Sequence, residues 1–138
     1  MRRYLLAAAC LALCAPGAGI AQEPLNTSEQ AIADFFAQRD VKRKQVSAEN
    51  GDPYSMVWLA DEIQKQKGGD WLTAKELVPF RVKMYMGAIQ AGYAPAYDRM
   101  AKMVLEGRLP EGTKMDALDF YRQGAELGDI DSIIGYAR

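Results

Sequence analysis

The chain contains no histidine in its 138 residues and only two cysteines, Cys10 and Cys14. The missing histidine removes both the commonest general base and the commonest metal ligand. Serine- or threonine-based nucleophilic chemistry therefore lacks its usual partner base. Both cysteines fall in the first 14 residues, so the rest of the chain has neither a disulfide nor a thiol nucleophile to use. Basic excess is also absent: the formal net charge is −1. A nucleic-acid binder carries a concentrated basic surface, so none is expected here. No run of alternating apolar and polar residues reads as a strand, and no second long apolar run follows the first.

The N-terminal segment has its own logic. Met1, Arg2 and Arg3 make a short basic start, Tyr4 to Ala15 is apolar, and Pro16 and Gly17 break the run. Gly19 and Ala21 are small residues at the two positions a signal peptidase reads. That layout predicts a secretory signal peptide over 1–21, cut after Ala21 to leave Gln22 at the new terminus. The apolar run is shorter than the roughly 20 residues a permanent membrane anchor requires. Lipidation is the alternative. Cys14 follows the bulky Leu13, and Cys10 follows a small residue but leaves a very short apolar run, so both positions are disfavoured. Cleavage removes Arg2 and Arg3 and takes the formal charge from −1 to −3. A periplasmic location follows from export in a bacterial-type cell, and the mature chain carries no membrane span.

From residue 22 onward the signals are helical. Residues 22–27 form a polar leader. Thr27 and Ser28, with Gln30, make a capping pattern. Ile32, Phe35, Phe36 and Val41 recur at helical spacing, which predicts one helix over 28–47. Lys42, Arg43 and Lys44 lie near its end, where cations suit the helix dipole. Asn50 and Gly51 stop that helix, Asp52 caps the next, and Pro53 suits its first position. Further helices run from Tyr54 to about Gln66, toward Ala91 with Pro79 near the start, from Pro95 to Glu106, from Thr113 and Asp116 to Leu127, and from Asp129 to the end. Residues 67–70 read as a loop.

Three of the resulting turns match one another. They are Ala48 to Gly51, Ile89 to Gly92 and Ala125 to Gly128, with glycines 41 and 36 residues apart. Tyr85 and Tyr121 each precede a glycine by seven residues. Met84 and Phe120 match beside them. Ser55, Ala96 and Ser132 follow their glycines by four, Leu59 and Ala60 match Met100 and Ala101, and Ile63 matches Val104.

On these residues the chain resembles the Sel1-like repeat family. The better copy runs from Gly92 through Ala96, Met100, Ala101, Val104, Gly107, Asp116, Phe120, Tyr121, Gly124 and Ala125 to Gly128. The copy from Gly51 is looser, with Gln66 at the loop-glycine position and Met84 in place of an aromatic. The resemblance covers about 48–138. It implies an all-α, tetratricopeptide-like solenoid of antiparallel hairpins: a capping helix over 28–47, a first repeat over 48–91, a second over 92–127, and a terminal or cut third-repeat helix over 128–138. Single hairpins of this kind cannot bury their apolar faces, so neighbours stack into a continuous core. Ala101 and Ala125 are the expected close helix contacts.

The carboxylate pairs Asp61 with Glu62 and Asp116 with Asp119 are the nearest approach to an acid–base dyad. Each has a plainer explanation, as a solvated helix face beside Lys65 and as a helix start. No catalytic residue, metal site or cofactor is expected. The resemblance implies a module that binds another protein or peptide through the first helices of its hairpins. With Ser55, Leu59 and Ile63 inward, Tyr54, Val57, Trp58 and Asp61 fall on the adjoining face. Pro95, Asp98, Arg99 and Lys102 are their second-repeat counterparts. The expected partner-binding residues are Tyr54, Trp58, Asp61, Arg99 and Lys102. Trp58 has a competing role as core, packed on Phe35 or Phe36. The alternative function is a periplasmic inhibitor or immunity protein, or an accessory subunit of a cell-envelope enzyme.

Overall fold

The computed structural model describes residues 27–65 and 77–138. The signal-peptide segment, both cysteines, leader residues 22–26 and the loop over 67–70 lie outside the described residues. Among the described residues there are seven helices and no strand: α1 (Thr27–Ala37), α2 (Arg39–Glu49), α3 (Pro53–Lys65), α4 (Leu77–Gln90), α5 (Pro95–Leu105), α6 (Ala117–Glu126) and α7 (Ile130–Tyr136). Each packs against the next along the chain, and α5 also meets α7. No described helix is long and apolar enough to cross a membrane.

The helix expected over 28–47 is two helices. Gln38 is extended (φ −61°, ψ 137°) and separates α1 from α2. The reason lies in Phe35 and Val41, both 2% exposed. Six residues apart on an unbroken helix, their side chains would point about 120° away from each other. The break lets both face the same core.

The matched glycines close their helices in one way. Gly51, Gly92 and Gly128 have φ of 91°, 77° and 83°, a region that strains any residue with a Cβ. The amide after each glycine donates back across the helix end: Asp52 to the Ser47 carbonyl, Tyr93 to Ala88 and Asp129 to Gly124, all at 3.0 Å. That satisfies carbonyls a helix end would otherwise leave open. Two of the turns then start the next helix in the same way. Asp52 accepts from the Ser55 amide at 3.0 Å and from its hydroxyl. Asp129 accepts from the Ser132 amide at 2.8 Å and hydroxyl at 2.6 Å. These bonds hold Asp52 below the usual carboxylate range, with the Ser55 hydroxyl the largest cause. Asp116 caps α6 by accepting from the Leu118 amide at 2.9 Å, so α6 begins at Ala117 and not at Thr113.

The core has three neighbouring parts. Phe35, Val41, Ala48, Leu59, Ile63 and Leu77 join α1 to α4. Val57, Ala60, Tyr85, Ala88, Ala96, Met100 and Met103 join α3, α4 and α5. Ala101, Ala117 and Tyr121 join α5 to α6. Ser55, Ala96 and Ser132 are all buried, as small residues at a helix crossing must be. Ala101 is buried as expected, but Ala125 is half-buried and Gly124 holds the close contact. A Cβ at Gly124 would stand 2.7 Å from Ser132 Cβ and 2.8 Å from Tyr97 Cβ.

Candidate functional site: a polar cleft between α3, α4 and α5

The residues singled out on α3 form one stripe. Tyr54, Trp58, Asp61 and Lys65 are spaced by four, three and four, which keeps them on one side of the helix. Tyr54 is 52% exposed. Trp58 is half-buried and packs on the α1–α4 part of the core, against which Phe36 also packs, and the rest of its ring stays open to solvent. Lys44 reaches over from α2 and lies 4.4 Å from the Tyr54 ring centre and 5.9 Å from that of Trp58. It is therefore part of the aromatic surface and not only a solvated helix end. Arg43 does behave that way, pairing with Asp40 at 2.6 Å in the open.

Two residues placed on this face by sequence are inside instead. Val57 is 6% exposed because it points into the α3–α4–α5 core. Asp98 is 1% exposed because its carboxylate collects two cations, the Arg99 Nη1 and the Lys102 Nζ, each at 2.7 Å.

Asp61, Arg99 and Lys102 line a cleft of about 320 Å³. Gln64 and Lys65 of α3, Arg81 of α4, and Met103 and Glu106 of α5 complete its lining. Asp61 binds two helices at once. Its Oδ1 accepts from the Tyr85 hydroxyl at 2.7 Å, and its Oδ2 accepts from Arg99 Nε at 3.1 Å. Burial and then the Asp61 carboxylate push the Tyr85 hydroxyl well above the ordinary tyrosine value. Burial alone would pull Arg99 down, but Asp61 and Asp98 outweigh it and hold its pKa above the ordinary value. Glu62, the neighbour of Asp61, instead accepts from Lys65 at 3.3 Å.

Arg81 and Gln64 were not singled out by sequence. Arg81 is 1% exposed, and its Nη2 donates to Gln64 Oε1 at 2.7 Å and to the Tyr85 hydroxyl at 3.5 Å. Its Nε and Nη1 have no hydrogen-bond partner. An arginine in a helix of otherwise apolar phase (Leu77, Val78, Phe80, Val82) was the available signal: it falls four residues before the matched Tyr85, on the same inward face.

A larger hollow of about 750 Å³ lies under the α5–α6 loop. Its two carboxylates are engaged elsewhere, Asp116 as the α6 cap and Asp119 with Arg122 at 2.9 Å. Among the described residues, no group of three or more cysteine, aspartate or glutamate side chains is placed to hold a metal. No protein-family model matches this chain, and neither a curated protein nor a solved structure matches it significantly.

Proposed function

We propose that this chain is an exported module that binds another protein, built as a short solenoid of Sel1-like hairpins. The matched glycine turns, the buried small residues four places after them, and helix packing between successive elements support that architecture. The basic start, the apolar run and the small residues at Gly19 and Ala21 support export and a periplasmic location.

One observation carries the binding reading. Tyr54 is exposed and Trp58 half-exposed, Lys44 lies over both rings, and the stripe they share continues to Asp61, which lines the charged cleft. Aromatic anchors beside oriented charges are the composition of an interface centre. The charges set orientation and encounter rate more than affinity.

The test is capture of the partner from periplasmic extract, its identification by mass spectrometry, and titration of wild type against two variants. The intact mass of the periplasmic bait should correspond to a chain starting at Gln22. Trp58→Ala should weaken binding on the order of thirtyfold at 25 °C, from a loss of about 2 kcal/mol. It should also lower the melting temperature, because part of the ring is core. Tyr54→Ala, truncating an exposed ring, should weaken binding with melting nearly unchanged. Wild-type affinity in both variants would sink the proposed face. A drop of roughly 3–5 kcal/mol in Trp58→Ala stability with no specific binding loss would make Trp58 a core residue only.

A further inference from the structure

We propose that the cleft between α3, α4 and α5 is a carboxylate-binding site anchored by Arg81. A guanidinium stays charged and carries five N–H donors. Arg81 is 1% exposed, yet Nε and Nη1 have no partner. Burying a charge without an opposite one is expensive, so such groups are normally paired.

The carboxylates around it are already committed. Asp61 holds Tyr85 and Arg99. Asp98 holds Arg99 and Lys102. Glu106 pairs with Arg108 at 3.3 Å, and Glu62 with Lys65 at 3.3 Å. Among the described residues, Arg81 is the cleft cation left without a carboxylate. One uncompensated positive charge matches a monoanion, which favours a carboxylate over a phosphate dianion.

The cleft suits that ligand in size and wall. Its volume of about 320 Å³ leaves room for an acidic side chain or a chain terminus. Met103, 1% exposed, offers an apolar wall for a methylene stem, and the more open Lys102 stands at the rim to steer an anion inward. The carboxylate can come from an acidic side chain or from a chain terminus. Assigning it to a protein partner rests on the binding reading above; the site itself does not.

The test follows the arginine Nε–Hε resonances of the ¹⁵N-labelled protein, with Arg81 assigned by the signal lost in Arg81→Lys. Sodium acetate, sodium phosphate and sodium chloride are titrated at matched ionic strength. The expected result is a saturable Arg81 shift with acetate, reached at lower concentration than with phosphate and not seen with chloride. Acetate should also raise the melting temperature of wild type and not of Arg81→Met, since a ligand that binds only the folded state stabilises it. No saturable shift, or equal shifts with acetate and chloride, overturns the site. Tighter binding of phosphate overturns the carboxylate assignment. Two short peptides then separate the sources, one with glutamate and an amidated end, the other with a free C-terminus and no acidic side chain. A saturable shift with either supports a peptide carboxylate and names its origin, whereas acetate binding with neither overturns a peptide source. If partner capture fails while Arg81 still takes acetate, the protein-binding reading falls and the site stands.

Discussion

Gly124 and Gly87 show how much one methyl group weighs at two helix contacts. At Gly124 a Cβ would meet Ser132 and Tyr97, whose Cβ atoms are fixed by the backbones of α7 and α5. Gly124→Ala should therefore destabilise by about 1–3 kcal/mol, the usual effect of overpacking. At Gly87 the nearest atom is the Met56 sulfur at 3.0 Å, the end of a flexible side chain that can move. Gly87→Ala should be neutral or stabilising by up to about 1 kcal/mol, the helix-propensity gain. Urea denaturation of the two variants against wild type decides both, and a Gly124→Ala midpoint equal to wild type would contradict the packing of α6 on α7. The repeat spacing placed a close contact in this turn of α6 but put it at Ala125. Which of two adjacent small residues faces the neighbour depends on how the helix is rolled, and in α6 the buried Ala117 and Tyr121 share their face with Gly124 and not with Ala125.

At the scale of elements, the Asp61 carboxylate ties three helices together, with Tyr85 from α4 and Arg99 from α5. Tyr85 is raised by burial first and by Asp61 second. A raised acid is held neutral by the fold, so its contribution is fully present below the unfolded tyrosine value of about 10 and is lost as pH rises above it. The urea midpoint of wild type should fall more steeply from pH 9 to 11 than that of Tyr85→Phe, on the scale those values set. Parallel curves would show that the hydroxyl has no coupling to the fold. Tyr85 itself was legible as a matched residue seven before a glycine. Its bond to Asp61 was not, because residues 24 apart meet only once α3 and α4 pack. The same holds for the break at Gln38. Periodicity alone gave a continuous helix, and only a shared core for Phe35 and Val41 requires two.

For the whole molecule, packing between sequence neighbours predicts graded stability. In a stack, inner helices are held from both sides and end helices from one. Amide exchange should be slowest in α3, α4 and α5, around the core containing Tyr85 and Met100, and fastest in α1 and α7. The exposed Ile130, Ile133 and Ile134 leave α7 with little burial of its own. Uniform protection from α1 to α7 would mean a single cooperative unit and would count against a modular stack.

The sequence by itself determined the helical class, the glycine turns, the aspartate caps and the inward small residues. All of these depend on contacts within a few residues, so local spacing encodes them. It also pointed to Tyr54, Trp58, Asp61, Arg99 and Lys102 as one region. Tertiary structure decided what that region contains. It drew Val57 and Asp98 inside, divided Trp58 between core and surface, and brought Arg81 to a cleft where every neighbouring carboxylate is taken. Whether a charge is paired is a property of side chains from three helices at once, and no spacing along one of them can supply it.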